Sequence, residues 1–90
     1  MFHFVYILRS VKDGGFYIGY TNDLKRRVME HNRGENFSTN PRKPFELIYF
    51  EAYRNKLDAQ NREKFFKSGW GRQHVQKVLK NFLVEKLRRG

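Results

Sequence analysis

Two apolar stretches, Val5-Tyr6-Ile7 and Tyr17-Ile18-Gly19-Tyr20-Thr21, flank the turn sequence Lys12-Asp13-Gly14-Gly15. An Asp-Gly pair between apolar runs is a strong hairpin signal, because a type I′ turn needs positive φ at both central positions. The pattern therefore predicts two antiparallel strands, Phe2–Arg9 and Phe16–Tyr20.

Alternation of side chains along these strands places Tyr6, Leu8, Tyr17 and Gly19 on one face of the sheet. The turn also puts Tyr6 opposite Thr21. Two phenols then share a face, and the glycine leaves room for another group to approach the sheet. A three-residue loop with a bulge would change this parity, so the shared face depends on the turn.

A helix is predicted over Asn22–Arg33. Thr21-Asn22-Asp23 supplies candidate capping side chains and an acid for its first turn, and Gly34 suits the stop after it. One face of this helix, at i, i+3, i+4 and i+7, is formed by Leu24, Arg27, Val28 and His31. Residues at this spacing face the body of a protein. An arginine and a histidine therefore occupy positions where a purely structural helix would carry leucine.

The second half of the chain predicts a third strand and two more helices. Phe45–Phe50 is aromatic and β-branched, as expected of a strand, and follows a polar loop that contains two prolines. Asn55 can cap the next helix. The inward row of that helix would be Ala59, Arg62, Glu63, Phe66 and Trp70. Trp70 is expected in the core, and the glycines on either side of it are expected to end the helix.

From Arg72 the pattern predicts one amphipathic helix that ends in a frayed basic tail. The expected fold is α/β in the α+β sense. It has a small three-stranded antiparallel sheet flanked by helices, in the order β-β-α-β-α-α. Residues 1–85 are expected to form a single domain, with the tail at 86–90.

Composition narrows the function. The chain has 90 residues and a formal net charge of +10, with a pI near 10.2. No apolar run reaches about 18 residues, so no membrane span is expected. A strand starting at Phe2 leaves no room for a signal peptide, and the absence of cysteine excludes thiolate metal sites. We expect a monomer located in the cytoplasm. The charge favours a polyanionic partner over a basic surface that serves only solubility.

Val5-Tyr6-Ile7 and Tyr17-Ile18-Gly19 are followed by two further blocks, Leu24–Asn32 and Ala59–Lys64. Four blocks in this order and at this spacing resemble the GIY-YIG nuclease superfamily. The resemblance spans roughly Phe2 to Lys80. It is nearest to small stand-alone bacterial members, which are related to the nuclease domain of the excision-repair incision subunit. The first block departs from the name-giving order, with valine for glycine and the tyrosine and isoleucine exchanged.

The patterns turn five polar side chains inward: Tyr6, Tyr17, Arg27, His31 and Glu63. A lone carboxylate suits a single Mg²⁺ or Mn²⁺ ion that keeps several waters, so Glu63 is the expected metal ligand. The planar guanidinium of Arg27 matches phosphate geometry, and cations nearby are expected to favour a tyrosine phenolate. The resemblance implies that Tyr6 is the general base, while Tyr17 and His31 order the water and the phosphate. The sequence does not separate those three roles.

Each assignment has a structural alternative. Tyr6 and Tyr17 suit plain strand aromatics, and His31 suits the dipole at the end of its helix. Arg27 and Glu63 can also form a structural ion pair. The side chains expected to contact phosphates without taking part in chemistry are Lys25, Arg26, Arg42 and Lys43.

Two functions stay open at this point. The first is a metal-dependent, structure-directed DNA endonuclease with little sequence specificity, acting in DNA repair. The second is a non-catalytic nucleic-acid-binding module on the same fold, which requires only charge and aromatic side chains. The enzyme is favoured because Arg27 and Glu63 are both present. The sequence does not distinguish DNA from RNA as the nucleic acid bound.

Overall fold

The computed structural model of the protein describes residues 1–89. Its elements in chain order are β1 (His3–Ser10), β2 (Phe16–Thr21), α1 (Leu24–Asn32), a short 3-10 helix (Asn40–Arg42), β3 (Phe45–Tyr53), α2 (Lys56–Phe66), α3 (Gly69–Val78) and α4 (Lys80–Arg89). The strands form one antiparallel sheet in the order β2-β1-β3. The predicted α+β class and the three-stranded antiparallel sheet are confirmed.

The central strand β1 is apolar on both faces because helices cover both sides of the sheet. Val5 and Ile7 pack in a core that α2 and α3 complete. Tyr6 and Leu8 pack on the opposite face, against residues of α1. All four side chains are at most 1% exposed. The sheet therefore separates two small cores, and the predicted site residues of β1 belong to the one beneath α1.

The pairing of β1 with β2 differs from the predicted register by two residues. Tyr6 lies opposite Gly19, not Thr21, and Leu8 lies opposite Tyr17. A displacement by an even number of residues keeps every side chain on its face. The prediction that the two tyrosines share a face is therefore confirmed, although the register was wrong.

The turn between these strands explains the displacement. Gly14 has a φ of 75°, but Asp13 does not have a positive φ, so the predicted type I′ turn is wrong. The backbone carbonyl of Ser10 accepts a hydrogen bond from the Gly14 N–H, and the Ser10 side-chain Oγ accepts one from the Asp13 N–H. These bonds close a wider loop and move the last strand pair to Arg9 and Phe16.

The helix starts follow the predicted capping. The Asp23 carboxylate accepts a hydrogen bond from the Arg26 N–H at the start of α1. Gly34, with a φ of 78°, follows the end of that helix. Asn55 caps α2 by accepting a hydrogen bond from the Leu57 N–H. Short polar side chains at these positions satisfy amides that have no partner within the helix.

The region around Trp70 differs from the prediction. Its flanking glycines do not end α2, because Gly69 begins α3 and Ser68 caps that helix by accepting from the Gly71 N–H. Gly71 is buried against the backbone at the end of α2, where a Cβ would overlap the carbonyl of Phe65. Trp70 is 76% exposed and does not join the core.

The predicted last helix is two helices, α3 and α4, so the order is β-β-α-β-α-α-α. The basic segment predicted as a frayed tail continues α4 through Arg89. Within it, the Lys86 ammonium donates to Glu46 Oε2 at 3.1 Å. Gly90 lies outside the described residues. Over residues 1–89, no helix has the length and apolar character needed to cross a membrane.

Candidate active site

A buried chain of hydrogen bonds joins β1, α1 and the loop before β3. The Tyr6 phenolic oxygen lies 2.9 Å from His31 Nε2, and His31 Nδ1 lies 2.8 Å from Thr39 Oγ1. All three side chains are at most 1% exposed. The Tyr17 ring lies beside them, with its centroid 4.8 Å from that of His31 and 6.4 Å from that of Tyr6. Three of the five predicted site residues thus meet in one cluster.

Gly19 makes this cluster possible. A Cβ at this position would overlap both the ring and the phenolic oxygen of Tyr6, which lies opposite it in the sheet. The space that the sequence predicted for an approaching group is therefore filled by Tyr6 itself. Close approach of a side chain to the strand, and not a positive φ, accounts for this glycine.

Burial sets the protonation states of the cluster. It raises the pKa of Tyr6 to about 12, although a hydrogen bond from Arg27 acts in the opposite direction. The expectation that cations favour the phenolate does not hold with Arg27 alone. Burial, followed by the charge of Arg27, lowers the pKa of His31. Both groups are therefore neutral at pH 7.

The neutral states fix the direction of the hydrogen bonds. The phenol is the donor in its bond to His31, so Nε2 accepts and Nδ1 carries the ring proton. The Nδ1–H then donates to Thr39 Oγ1, whose own hydroxyl is 3.5 Å from the Asn36 carbonyl. Thr39 therefore selects the tautomer in which His31 can accept a proton from Tyr6.

Arg27 connects the cluster to the surface of α1. Hydrogen bonds to Tyr6 and Glu30 raise the pKa of its guanidinium against the effect of burial. Its Nη1 donates to Glu30 Oε1 at 3.0 Å, and Arg26 donates to the other oxygen of the same carboxylate at 3.0 Å. Arg27 is paired with Glu30, so the alternative of an ion pair between Arg27 and Glu63 is wrong.

Glu63 lies on α2, which packs on the other face of the sheet. One of its carboxylate oxygens is 2.9 Å from Lys67 Nζ. The charge of Glu63 raises the pKa of Tyr6, so its field reaches the phenol. Within residues 1–89, no three His, Cys, Asp or Glu side chains are grouped as metal ligands. Carboxylate oxygens are ligands that Mg²⁺ accepts, but the Lys67 ammonium occupies one oxygen of this carboxylate in the structure.

The predicted phosphate contacts lie in different environments. Lys25 and Lys43 are exposed, and Arg26 is paired with Glu30. The Arg42 Nε donates to the Asp13 carboxylate at 2.9 Å, which together with further hydrogen bonds holds the pKa of that carboxyl at about 2. Arg42 therefore also holds the hairpin loop to the loop before β3.

Sequence patterns did not assign Glu30 or Thr39 to the site. Glu30 follows Arg26 by four residues and Arg27 by three, a spacing that brings side chains together on a helix, so a signal was available. Thr39 lies in an irregular loop where no periodicity assigns a direction to a side chain. Only the folded chain brings it to His31.

Fold and site together define a class of protein. Residues 2–76 match the family described as the GIY-YIG catalytic domain, and the chain belongs to this family. The predicted resemblance is therefore confirmed.

Among individual proteins, the chain is 39% identical over 85 residues to a UPF0213 protein of Bacillus pumilus, covering 93% of this chain and 85% of that protein. It is 38% identical over 84 residues to a UPF0213 protein of Clostridium perfringens, with coverages of 92% and 89%. The solution NMR structure of the UPF0213 protein BH0048 from Bacillus halodurans is similar to it with a TM-score of 0.54. That match has 36% identity and covers 87% of this chain and 85% of the other.

Proposed function

We propose that the protein is a metal-dependent endonuclease that hydrolyses DNA phosphodiester bonds. The observation that carries this proposal is the buried pair of Tyr6 and His31, with the half-buried Tyr17 and Arg27 beside it, in a chain that belongs to a family of catalytic domains. Hydrogen bonding offsets the cost of burying these polar groups, and the Tyr6–His31 bond joins a proton donor to an acceptor that can take up the proton.

Tyr6 acts as the general base, and His31 accepts the proton that Tyr6 gives up. A neutral phenol takes a proton from water only if it loses its own, and His31 Nε2 is the acceptor at 2.9 Å. The pKa of Tyr6 is about 12 and that of His31 lies below 6.5, so a phenolate–imidazolium pair lies more than about 7 kcal/mol above the neutral pair. Both proton transfers therefore accompany the attack of water on phosphorus.

Arg27 stabilises the charge that develops on the phosphate, because its planar fork stays protonated and is fixed by Glu30. Tyr17 orients the water or the phosphate from the same face of the sheet. Glu63 would hold one Mg²⁺ or Mn²⁺ ion, which when bound supplies positive charge to the phosphate and the leaving oxygen. Lys67 would have to release the carboxylate first.

DNA is the proposed substrate because the net charge of +10 favours a polyanion. Phosphate contacts carry no base information, so little sequence specificity is expected. Preference for nicked or branched DNA would agree with a role in repair. RNA cleavage is the competing outcome for the same site chemistry.

The second candidate is a non-catalytic nucleic-acid-binding module. The specific observation in its favour is that Lys67 forms an ion pair with Glu63, the carboxylate that is proposed to hold a metal ion. The basic surface alone would serve this function.

Cleavage assays separate the two candidates. Purified protein is incubated with supercoiled plasmid, branched DNA oligonucleotides and single-stranded RNA, in Mg²⁺, Mn²⁺ or EDTA. We expect metal-dependent cuts in DNA, and loss of those cuts in Glu63→Gln with DNA affinity retained. Glu85→Gln, an exposed glutamate on α4, is the matched control. Binding without cleavage of any substrate would favour the module, and full activity of Glu63→Gln would show that this carboxylate is not the metal ligand.

A further inference from the structure

Among the described residues, no strand pairs with the outer edge of β2, because β1 lies between β2 and β3. The helix α2 packs on one face of the sheet, and each end of the helix lies near one end of β2. Lys56, where α2 begins, lies with the end of β2 around Tyr20 and Thr21. Lys67, just after the end of α2, lies with the start of β2 around Tyr17. Two separate surface grooves therefore lie at the two ends of this strand.

A groove of about 490 Å³ opens at the start of β2. The charged side chains that line it are Arg42, Lys67 and Arg72, and all three are cations. Two of these, Lys67 and Arg72, are exposed and come from the junction between α2 and α3. Tyr17 also lines this groove, and its ring packs against His31 on the face covered by α1, so the groove adjoins the candidate active site at the β2 edge. Its charge and shape suit phosphate groups that continue away from that site.

A second groove, of about 260 Å³, opens at the other end of β2. Its cations are Arg26, Arg27 and Lys56, and its acids are Asp23 and Glu30. Glu30 is held between the two arginines, each at 3.0 Å, and Asp23 caps α1. Three cations against two acids leave a net charge of +1, and the Arg26 side chain is still 75% exposed and open to an incoming anion.

The candidate catalytic groups lie between the two grooves. Tyr17 lines the first, Arg27 lines the second, and Glu63 lies on α2 between Lys56 and Lys67. We propose that one nucleic-acid strand lies along the β2 edge, with Lys67 and Arg72 binding its phosphates on one side of the cut position and Arg26 and Lys56 binding those on the other. This path rests on the proposed function, because it takes the catalytic groups as its midpoint.

The length of the edge sets the size of the footprint. Six residues of β2 span about 17 Å at a rise of about 3.4 Å per residue. Phosphates of a duplex advance about 3.4 Å per nucleotide along the helix axis, so the edge matches about five nucleotides of a strand that keeps the duplex rise. When the strand binds, Lys67 exchanges the Glu63 carboxylate for a phosphate and frees that carboxylate.

Binding of single-stranded DNA in EDTA tests the path without any cleavage. A fluorescent dodecanucleotide spans both grooves, whereas a trinucleotide occupies only one. The variants are Lys67→Gln with Arg72→Gln, Arg26→Gln with Lys56→Gln, and all four together. Lys64→Gln with Lys77→Gln is the matched control, since these exposed lysines of α2 and α3 line neither groove.

On the dodecanucleotide, each double variant should lower the slope of log affinity against log salt by about 0.7 per lost contact, and the fourfold variant by the sum. On the trinucleotide, either double variant alone should have little effect, because the other groove still binds. Equal losses in the control pair, or no further loss in the fourfold variant, would overturn the proposal. Absence of nuclease activity would leave these binding results unchanged, so the two failures are distinguishable.

Discussion

The two faces of the sheet each carry a cluster of polar side chains, and the clusters differ in how their hydrogen bonds are used. On the face covered by α2 and α3, the Glu51 carboxylate accepts bonds from Tyr49, Tyr53 and Arg62 at distances between 2.6 and 3.1 Å. On the face covered by α1, the neutral Tyr6 phenol donates a hydrogen bond to Nε2 of the neutral His31 ring.

The difference separates a structural cluster from a reactive one. Burial alone would raise the pKa of Glu51, but hydrogen bonds from Arg62 and the two tyrosines bring it down to about 2. Arg62 is also stacked on the rings of Phe65 and Phe66. Four donors to one carboxylate leave no acceptor for a substrate, so this cluster ties β3 to α2. In the Tyr6 cluster a proton can still move.

Arg27→Ala should have the largest effect of these substitutions, and the effect should be on the rate of cleavage. Turnover should drop by about 10²–10³, as for other preorganised groups that stabilise a transition state, with little change in affinity. Single-turnover cleavage at saturating DNA measures the first quantity, and binding in Ca²⁺ measures the second. Arg26→Ala, its more exposed neighbour, should show the opposite pattern. If Arg27→Ala loses affinity alone, this arginine is only a phosphate contact and the contrast between the faces fails.

Glu51→Gln should cost stability and leave turnover at 25 °C unchanged. We expect a loss of about 2 kcal/mol in the free energy of unfolding at pH 7, because Arg62 loses its charged partner. The folded-state pKa of Glu51 lies below its unfolded value, so this stabilisation is present above about pH 4.5 and is lost as the pH falls toward 2. The difference between wild type and variant in urea unfolding should shrink over that range.

Glu30→Gln is the variant to compare with Glu51→Gln, because Glu30 pairs with Arg27 on the α1 side of the sheet. It should lower turnover more than it lowers the free energy of unfolding. A Glu51→Gln variant that is fully stable at pH 7, or that loses turnover while remaining folded, would contradict the structural role.

Thr39→Val should lower turnover by about tenfold. The buried Nδ1–H of His31 loses its acceptor, and an unpaired buried donor costs about 1–3 kcal/mol, part of which the other tautomer can recover. The ¹⁵N chemical shifts of His31 should then report loss of the tautomer with Nε2 unprotonated. Thr39→Ser should restore both the shifts and the rate, while Ser38→Ala on the same loop should change neither. Unchanged shifts in Thr39→Val would remove Thr39 from the site.

Lys43→Ala should have the smallest effect. Lys43 is exposed, so its loss should reduce the salt slope of duplex binding by about 0.9, with turnover at saturating DNA intact. Arg42→Ala should in addition destabilise the hairpin loop, because Arg42 bonds Asp13 and the Phe16 carbonyl. Thermal unfolding, measured together with the binding titration, distinguishes the two variants, because only Arg42→Ala should lower the unfolding temperature. An unaltered slope in Lys43→Ala would remove it from the interface.

Local chemistry in the sequence determined much of the site. Strand alternation was enough to place Tyr6 and Tyr17 on one face, even though the register was displaced, because parity survives a shift of two residues. Helical spacing was enough to turn His31 inward, where it is fully buried. Asp23 and Asn55 could be predicted as caps because a cap bonds only to residues two or three positions away.

Contacts that no helix or strand periodicity predicts decided the rest. The carbonyl of Ser10 widened the hairpin, and its hydroxyl meets the Arg42 carbonyl in a loop much later in the chain. Close packing of Gly71 on the end of α2 turned the next helix so that Trp70 faces water. Thr39 reached His31 only when its loop folded over the end of α1. Periodicity fixes the direction of a side chain within one element, but the partner at the end of that direction depends on how the elements pack.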